Sequence, residues 1–300
     1  QEKMKEWADV ARQNEMVVSA QGNTNILDAL QVALKFKCTS DREHTRITYT
    51  SFTNIFTEWL RLRKWDLLPI SAFDRQKAKL FMDYVLLERK DRHGNAVKNR
   101  TYNNYLINMR ALFYELTERN YLKENPFANH KPRKEEQKLR HPFEQGDSTI
   151  IARYVYLHNR PVYLAILLIS HCGLRLSELR RLRVRDIDLD RGLIVLGGDQ
   201  TKNKERAFIT IPNTVIPTLR KFGLENVPAS HLVFGLGLKP NPKECCGRNT
   251  ISDRFREMLQ AMLKANMLKS IEGYTAYSWK DTGAIAMVKA GMDILALQKH

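Results

Sequence analysis

Before residue 185 this chain holds no useful run of alternating apolar and polar residues, and that limits what it can fold into more than any other feature. Its apolar residues recur instead at helical spacing. Asn25 to Lys37 places Ile26, Leu27, Leu30 and Leu34 with Ala29 and Ala33 between them. Thr45 to Trp65 carries Ile47, Phe52, Ile55, Phe56, Trp59 and Leu60. Phe73 to Lys90 carries Phe73, Leu80, Tyr84, Val85 and Leu87, and Lys98 to Asn120 carries Tyr102, Tyr105, Leu106, Met109, Leu112, Phe113 and Leu116. A half-buried strand needs a period of 2 and a helix a period near 3.6. The N-terminal half is therefore predicted to be an α-helical bundle, with residues 1–20 as a further charged helix.

Between Asn129 and Pro142 the pattern breaks. His130 to Lys138 has no apolar residue except proline, which reads as a basic interdomain linker over 129–142. A helix over Thr149–His158 follows, and then the apolar run Leu164–Ile169, which stops at Gly173. Glycine suits that stop because it takes a left-handed conformation at little steric cost. A short helix, Ser177–Leu182, comes next. Val184–Leu189, Leu193–Leu196 and Ala207–Ile211 then read as strands around the polar stretch Gly197–Glu205. Helices resume over Thr214–Phe222, Thr250–Leu268 and Ser278–Ala290, with Ser252 and Asp253 as expected caps of the second. The expected fold class is mainly α with a small antiparallel sheet (α+β), in two domains.

Charge narrows the function. Lys+Arg number 49 against 33 Asp+Glu, a net +16, which suits a polyanion such as nucleic acid. Basic residues interleave with the helices at Arg46, Arg61, Arg63, Lys64, Lys98, Arg100 and Arg110, and the linker adds Lys131, Arg133 and Lys134. They suit phosphate contacts, although a solvated face accounts for any one of them singly. No apolar stretch approaches the roughly 20 residues of a membrane span. The opening Gln1-Glu2-Lys3-Met4 has no signal-peptide core and no initiator Met, which reads as a fragment. Cys38, Cys172, Cys245 and Cys246 form no Cys-x-x-Cys pair and no zinc spacing, so reduced cytosolic thiols and no metal are expected.

Chemistry is expected at three places. Arg175 follows Gly173 in a bend between helices, which would hold its planar fork toward phosphate oxygens. The hairpin tip Thr201-Lys202-Asn203-Lys204-Glu205-Arg206 offers a lysine able to reach a leaving oxygen as a general acid. Tyr277 and Lys280 lie three apart at a helix start, on one face, where free N–H groups favour anions. A surface arginine, a solvated turn, a buried tyrosine and a solvent lysine are the ordinary alternatives for each taken alone.

The order of these features resembles the tyrosine recombinase (phage-type integrase) family over nearly the whole chain after about residue 40. Gly173-Leu174-Arg175-Leu176-Ser177-Glu178-Leu179 is similar to that family's first arginine box. Lys202 matches its hairpin lysine, with Lys204, two residues on, as the reserve candidate. Tyr277-Ser278-Trp279-Lys280 falls on its His-x-x-Arg box, with tyrosine for the usual histidine and lysine for the second arginine. Lysine is a point charge and cannot clamp two oxygens as arginine does. Thr101-Tyr102-Asn103-Asn104-Tyr105-Leu106 through Tyr121-Leu122-Lys123-Glu124-Asn125-Pro126 resembles the family's core-binding domain. The Tyr-Ser-Trp-Lys box is similar to integrases of Bacteroidetes-type mobile elements, conjugative transposons among them.

The resemblance implies an N-terminal helical segment over 1–40 joined to an arm-site domain, a core-type DNA-binding domain over 41–128, the linker over 129–142 and a catalytic domain over 143–300. It implies strand exchange through a 3′-phosphotyrosyl bond with no metal, ATP or other cofactor. Arg175 would neutralise the non-bridging oxygens, Lys202 would protonate the departing 5′-oxygen, Lys280 would support Arg175, Tyr277 would hydrogen-bond the phosphate, and Glu178 would orient its neighbours. Gly291 to His300 matches the helix that precedes the family's next histidine or tryptophan and its nucleophilic tyrosine. The nucleophile is therefore expected past His300, and neither Tyr274 nor Tyr277 takes that role. Implied partners are duplex DNA at attachment and core sites, further protomers in a homotetramer, and accessory DNA-bending proteins, with no membrane, in a bacterial cytoplasm. A DNA-binding regulator that keeps the fold without catalysis, and a type IB topoisomerase-like enzyme, stay open.

Overall fold

The computed structural model describes residues 21–39, 43–91, 93–135, 141–144, 146–201 and 204–292. The expected helix over 1–20 and Lys202 lie outside the described residues. The chain divides into two compact units, 1–137 and 138–300.

The first unit is helical, as its periodicity predicts: α1 (Ile26–Lys37), α2 (Glu43–Leu62), α3 (Arg75–Leu87) and α4 (Asn99–Glu118). Side chains start two of these helices. Asn25 accepts a hydrogen bond from the Leu27 N–H at 2.7 Å, and Asp74 accepts one from Lys77 at 2.8 Å. Each satisfies a donor left open in a first turn. The core is aromatic: Phe56, Trp59, Phe73, Phe81, Phe113 and Phe127 are fully buried. Phe56 meets Phe81 and Phe73 edge-on, with centroids 4.7 and 5.4 Å apart. Such pairs add roughly 0.5–1.5 kcal/mol each beyond area burial.

The stretch read as linker is fixed on this unit at its N-terminal end. Asn103 accepts from the Arg133 N–H at 2.8 Å and donates to the Arg133 carbonyl at 2.9 Å, while Asn99 donates to the Lys134 carbonyl at 2.8 Å. With no apolar side chains to bury, the segment is held through its backbone by asparagines of α4, which no apolar pattern reveals.

The second unit runs α5 (Asp147–His158), α6 (Arg160–Cys172), α7 (Leu176–Leu179), β1 (Ile187–Asp188), β2 (Leu193–Leu196), β3 (Ala207–Thr210), α8 (Ile216–Arg220), α9 (Thr250–Lys264) and α10 (Ser278–Lys289). The strands form one antiparallel sheet in the order β1-β2-β3, with Ile194 opposite Ile209 and Leu196 opposite Ala207. Helix α6 is the spine of this unit, buried from Leu164 through Ser170. Its N-cap Asn159 accepts from Val162 at 3.1 Å.

Two expectations need correction. Val184–Asp186 is a 3₁₀ turn, and only Ile187–Asp188 is strand. The Asp186 carboxylate accepts the Arg183 N–H at 2.8 Å and locks a turn where the alternation suggested a strand. Ser252 and Asp253 do not cap α9, which begins at Thr250; they lie inside its first turn, where Asp253 pairs with Arg256 at 3.1 Å.

Candidate active site

Helix α6 ends as its glycine predicts. Gly173 adopts φ +65°, its N–H donates to the Ile169 carbonyl, and the Leu174 N–H donates to the Leu168 carbonyl. This double return turns the chain sharply enough to put Arg175 directly before α7.

Arg175 is held from both backbone and side chain. The Glu178 carboxylate accepts the Arg175 backbone N–H at 2.8 Å and a guanidinium N–H at 2.8 Å. Glu178 is only 3% exposed, whereas the Arg175 side chain keeps 38% of its surface open. One edge of the fork is thus tied to a buried carboxylate, and among the described residues its guanidinium makes no other hydrogen bond. Because the same carboxylate takes both the backbone N–H and the guanidinium, Glu178 sets the direction of the fork.

Lys280 converges on the same bend from α10. Its ammonium donates to the Gly173 carbonyl. Burial pushes its pKa down, and the Arg175 charge pushes it down further, against the opposing pull of Glu178 and Asp281. Arg175 and Lys280 are thus two cations close enough to repel each other, and a phosphate between them would relieve that repulsion. The close approach of α10 to α6 rests on Gly283, where an added Cβ would sit 1.9 Å from the Ser170 carbonyl oxygen. Tyr277 is the N-cap residue of α10, one turn before Lys280, and is half-buried.

The hairpin between β2 and β3 is anchored at its base by a residue that sequence reasoning missed. Gln200 is buried; it accepts from the Gly197 N–H at 2.7 Å and donates to the Arg181 carbonyl at 2.9 Å and to Asp186 at 2.6 Å. Arg181 returns a bond to the Asp199 carbonyl at 2.9 Å. The basic tip is therefore tied to the chain just after α7. A lone glutamine in a polar loop gives no periodic signal of such a role. Lys204 is exposed with φ +60°.

The remaining basic candidates lie on the first unit. Arg46, Arg61, Lys98, Arg100, Lys131, Arg133 and Lys134 are exposed. Arg46 and Arg61 sit near opposite ends of α2, roughly 22 Å apart at 1.5 Å per residue, so no single phosphate serves both. Arg133 also donates to the Asn99 side chain at 2.8 Å. Arg110 is turned inward, donating to the Phe127 carbonyl at 3.0 Å and to the His130 carbonyl. Among the described residues no group of His, Cys, Asp and Glu is arranged to hold a metal ion, and no helix is long and apolar enough to cross a membrane.

Residues 151–300 match the model of the phage integrase family. A tyrosine recombinase of Thermosipho africanus (strain TCF52B) is 24% identical over 232 residues, covering 77% of this chain and 76% of that protein. Among solved structures, the Tn1549 transposon integrase in complex with transposon right end DNA has the same fold, with a TM-score of 0.71 at 16% identity over 92% of this chain and 90% of that one. A lambda integrase tetramer bound to a Holliday junction superposes with a TM-score of 0.67 at 17% identity over 93% and 77%.

Proposed function

Because the chain belongs to the phage integrase family, we propose that it is a site-specific DNA recombinase of a mobile genetic element, cutting and rejoining duplex DNA through a 3′-phosphotyrosyl intermediate. The observation that carries this reading is the Arg175 fork, held by buried Glu178 and faced by half-buried Lys280.

A scissile phosphate enters where Arg175 and Lys280 face each other. A tyrosine oxygen attacks phosphorus, and the bond from phosphorus to the 5′-oxygen breaks. Arg175 and Lys280 stabilise the charge that builds on the non-bridging oxygens. Tyr277 hydrogen-bonds the same phosphate. Lys202, with Lys204 as the neighbouring candidate, gives its proton to the departing 5′-oxygen. Glu178 takes no proton and orients Arg175. Tyr274 is not the attacking residue, because its hydroxyl already donates to Asp147 at 2.8 Å and accepts the Glu144 N–H at 3.1 Å. No described tyrosine is assigned the attack.

The exposed basic residues of α2, of α4 and of the 131–134 segment grip the DNA backbone, and the 129–142 stretch joins a core-binding domain to a catalytic one. Protomers assemble as a homotetramer on two duplexes. The integrases of similar fold that were solved on DNA, one as a tetramer on a Holliday junction, support this assembly.

The test is a covalent-complex assay with the native gene product on duplex carrying the element's ends. A DNA adduct that survives denaturant is expected, carrying a label placed at the 5′ end of the cleaved strand and releasing the downstream segment with a free 5′-hydroxyl, with the modified tyrosine located by mass spectrometry. Duplex binding with no adduct would favour a regulator that keeps the fold without cutting. Relaxation of non-specific plasmid would favour a topoisomerase-like enzyme. Binding should also weaken steeply with salt, about 0.9 log units per log of salt for each phosphate neutralised.

A further inference from the structure

The segment that opens the second unit, 141–144, lies directly on the start of α10. The Phe143 N–H donates to the Thr282 hydroxyl at 3.0 Å, and the Glu144 N–H donates to the Tyr274 hydroxyl at 3.1 Å. Tyr274 in turn donates a hydrogen bond to the Asp147 carboxylate, at the start of α5, at 2.8 Å. The Phe143 ring is buried against Trp279 and Tyr274, with centroids 4.6 and 4.8 Å apart. Gly273 makes room for His141: φ is +76°, and an added Cβ would lie 2.7 Å from the His141 ring. These contacts bracket the box. Tyr274 precedes Tyr277 by one turn, and Thr282 follows Lys280 by two residues.

On another side, α10 is pressed against α6 through Gly283. Thr282 and Gly283 are adjacent, so their side-chain directions differ by about 100° around the helix. The start of α10 is thus gripped from two directions, by α6 and by 141–144. A lysine that must lean into a phosphate depends on where its helix begins, because its long stem magnifies any rotation of the turn that carries it.

We propose that residues 141–144 form a clasp that holds Lys280 in register with Arg175, with Thr282 and Tyr274 as its positioning residues. The inference rests on the recombinase reading for its catalytic consequence, but not for the clasp itself. Neither hydroxyl meets the phosphate; each acts through the helix start. The first two residues of the clasp, 141 and 142, are also the last two of the 129–142 stretch.

The test replaces Thr282 with Val, which keeps the shape and removes the hydroxyl, and with Ser, which keeps the hydroxyl. Tyr274→Phe is a second variant that keeps the ring on Phe143. Two readouts are taken. The first is the titration of the Lys280 ammonium by NMR, which needs no DNA. The groups that set it are burial, Arg175 on the α7 bend, and Glu178 and Asp281. With the clasp released, Lys280 should become more solvated and titrate at higher pH in Thr282→Val and Tyr274→Phe, while Thr282→Ser stays as wild type. The second is single-turnover cleavage by the native gene product, expected to fall about tenfold in the first two variants with duplex affinity within about twofold of wild type, and to be restored in Thr282→Ser. An unmoved Lys280 titration overturns the clasp whatever the cleavage does. A moved titration with cleavage unchanged overturns the assignment as positioning residues. A moved titration in a protein that never cleaves DNA leaves the clasp standing and removes the recombinase reading instead.

Discussion

Arg110 in the first unit and Arg175 in the second are both half-buried arginines on or beside long helices, yet their surroundings use them in opposite ways. Arg110 directs its guanidinium to the carbonyls of Phe127 and His130, and its own carbonyl takes a bond from Asn125 at 2.9 Å. It staples a loop to α4. Arg175 has one edge fixed by Glu178 and the rest open. The difference lies in what the partners are. Two backbone carbonyls take the Nε and one Nη of Arg110 and turn it inward, whereas one buried carboxylate fixes the direction of Arg175 and leaves its side chain partly open. A helical bundle can hide its arginine, but a site for phosphate must hold one half-satisfied.

The largest effect expected from that contrast is on Arg175→Ala. In the native gene product it should lower DNA cleavage by on the order of 10²–10³, as loss of a donor to a developing oxyanion does, with duplex affinity little changed. Arg110→Ala should instead lower stability by about 2 kcal/mol, because two carbonyls lose their donor, a change read as a shift in the urea midpoint. If Arg175→Ala loses binding and stability together with cleavage, the two arginines are alike and the contrast fails.

The next effect separates two glycines. Gly283→Ala places a methyl 1.9 Å from the Ser170 carbonyl oxygen and 2.7 Å from its carbon, both backbone atoms that cannot swing away. The cost should reach the upper part of the roughly 1–3 kcal/mol range of overpacking, and α10 should lift from α6 with loss of cleavage. Gly94 in the first unit has φ +80° and open space where its Cβ would go. Gly94→Ala should cost about 1–2 kcal/mol from the left-handed backbone alone and leave DNA binding intact. Equal losses of cleavage in the two variants would mean that Gly283 works only through global stability.

Much of this was legible in the sequence for physical reasons. Gly173 announces the end of α6 because few other residues tolerate its conformation, and so the position of Arg175 follows from the chain alone. The α2 and α4 patterns are strong because one face of each is packed with large apolar rings. What stayed hidden rests on polar groups. Gln200, Asn103 and Thr282 each fix a segment through hydrogen bonds to residues from 3 to 139 positions away in sequence, and such pairings have no period. Asp186 looked like the polar position of a strand because alternation does not distinguish a solvent-facing acid from one that bonds its own turn. The Gly283 contact was equally invisible, since only the crossing of two helices gives that glycine its reason.

The smallest effect sharpens the first prediction. Cys172 occupies the last turn of α6, beside Gly173, and burial pushes its thiol up to about 12. At pH 8 only about one part in 10⁴ would be thiolate, and thiolate is the form that reacts. Cys245 is exposed and accepts an N–H from Arg180 at 3.3 Å. Alkylation of the folded chain at pH 8 should therefore label Cys245 well before Cys172. In Arg175→Ala, Cys172 should stay protected, because the turn beneath it is closed by Gly173 and by backbone bonds to Ile169 and Leu168 rather than by the arginine. Rapid labelling of Cys172 in that variant would mean that Arg175 holds the bend together, and its loss of cleavage would then carry no information about phosphate.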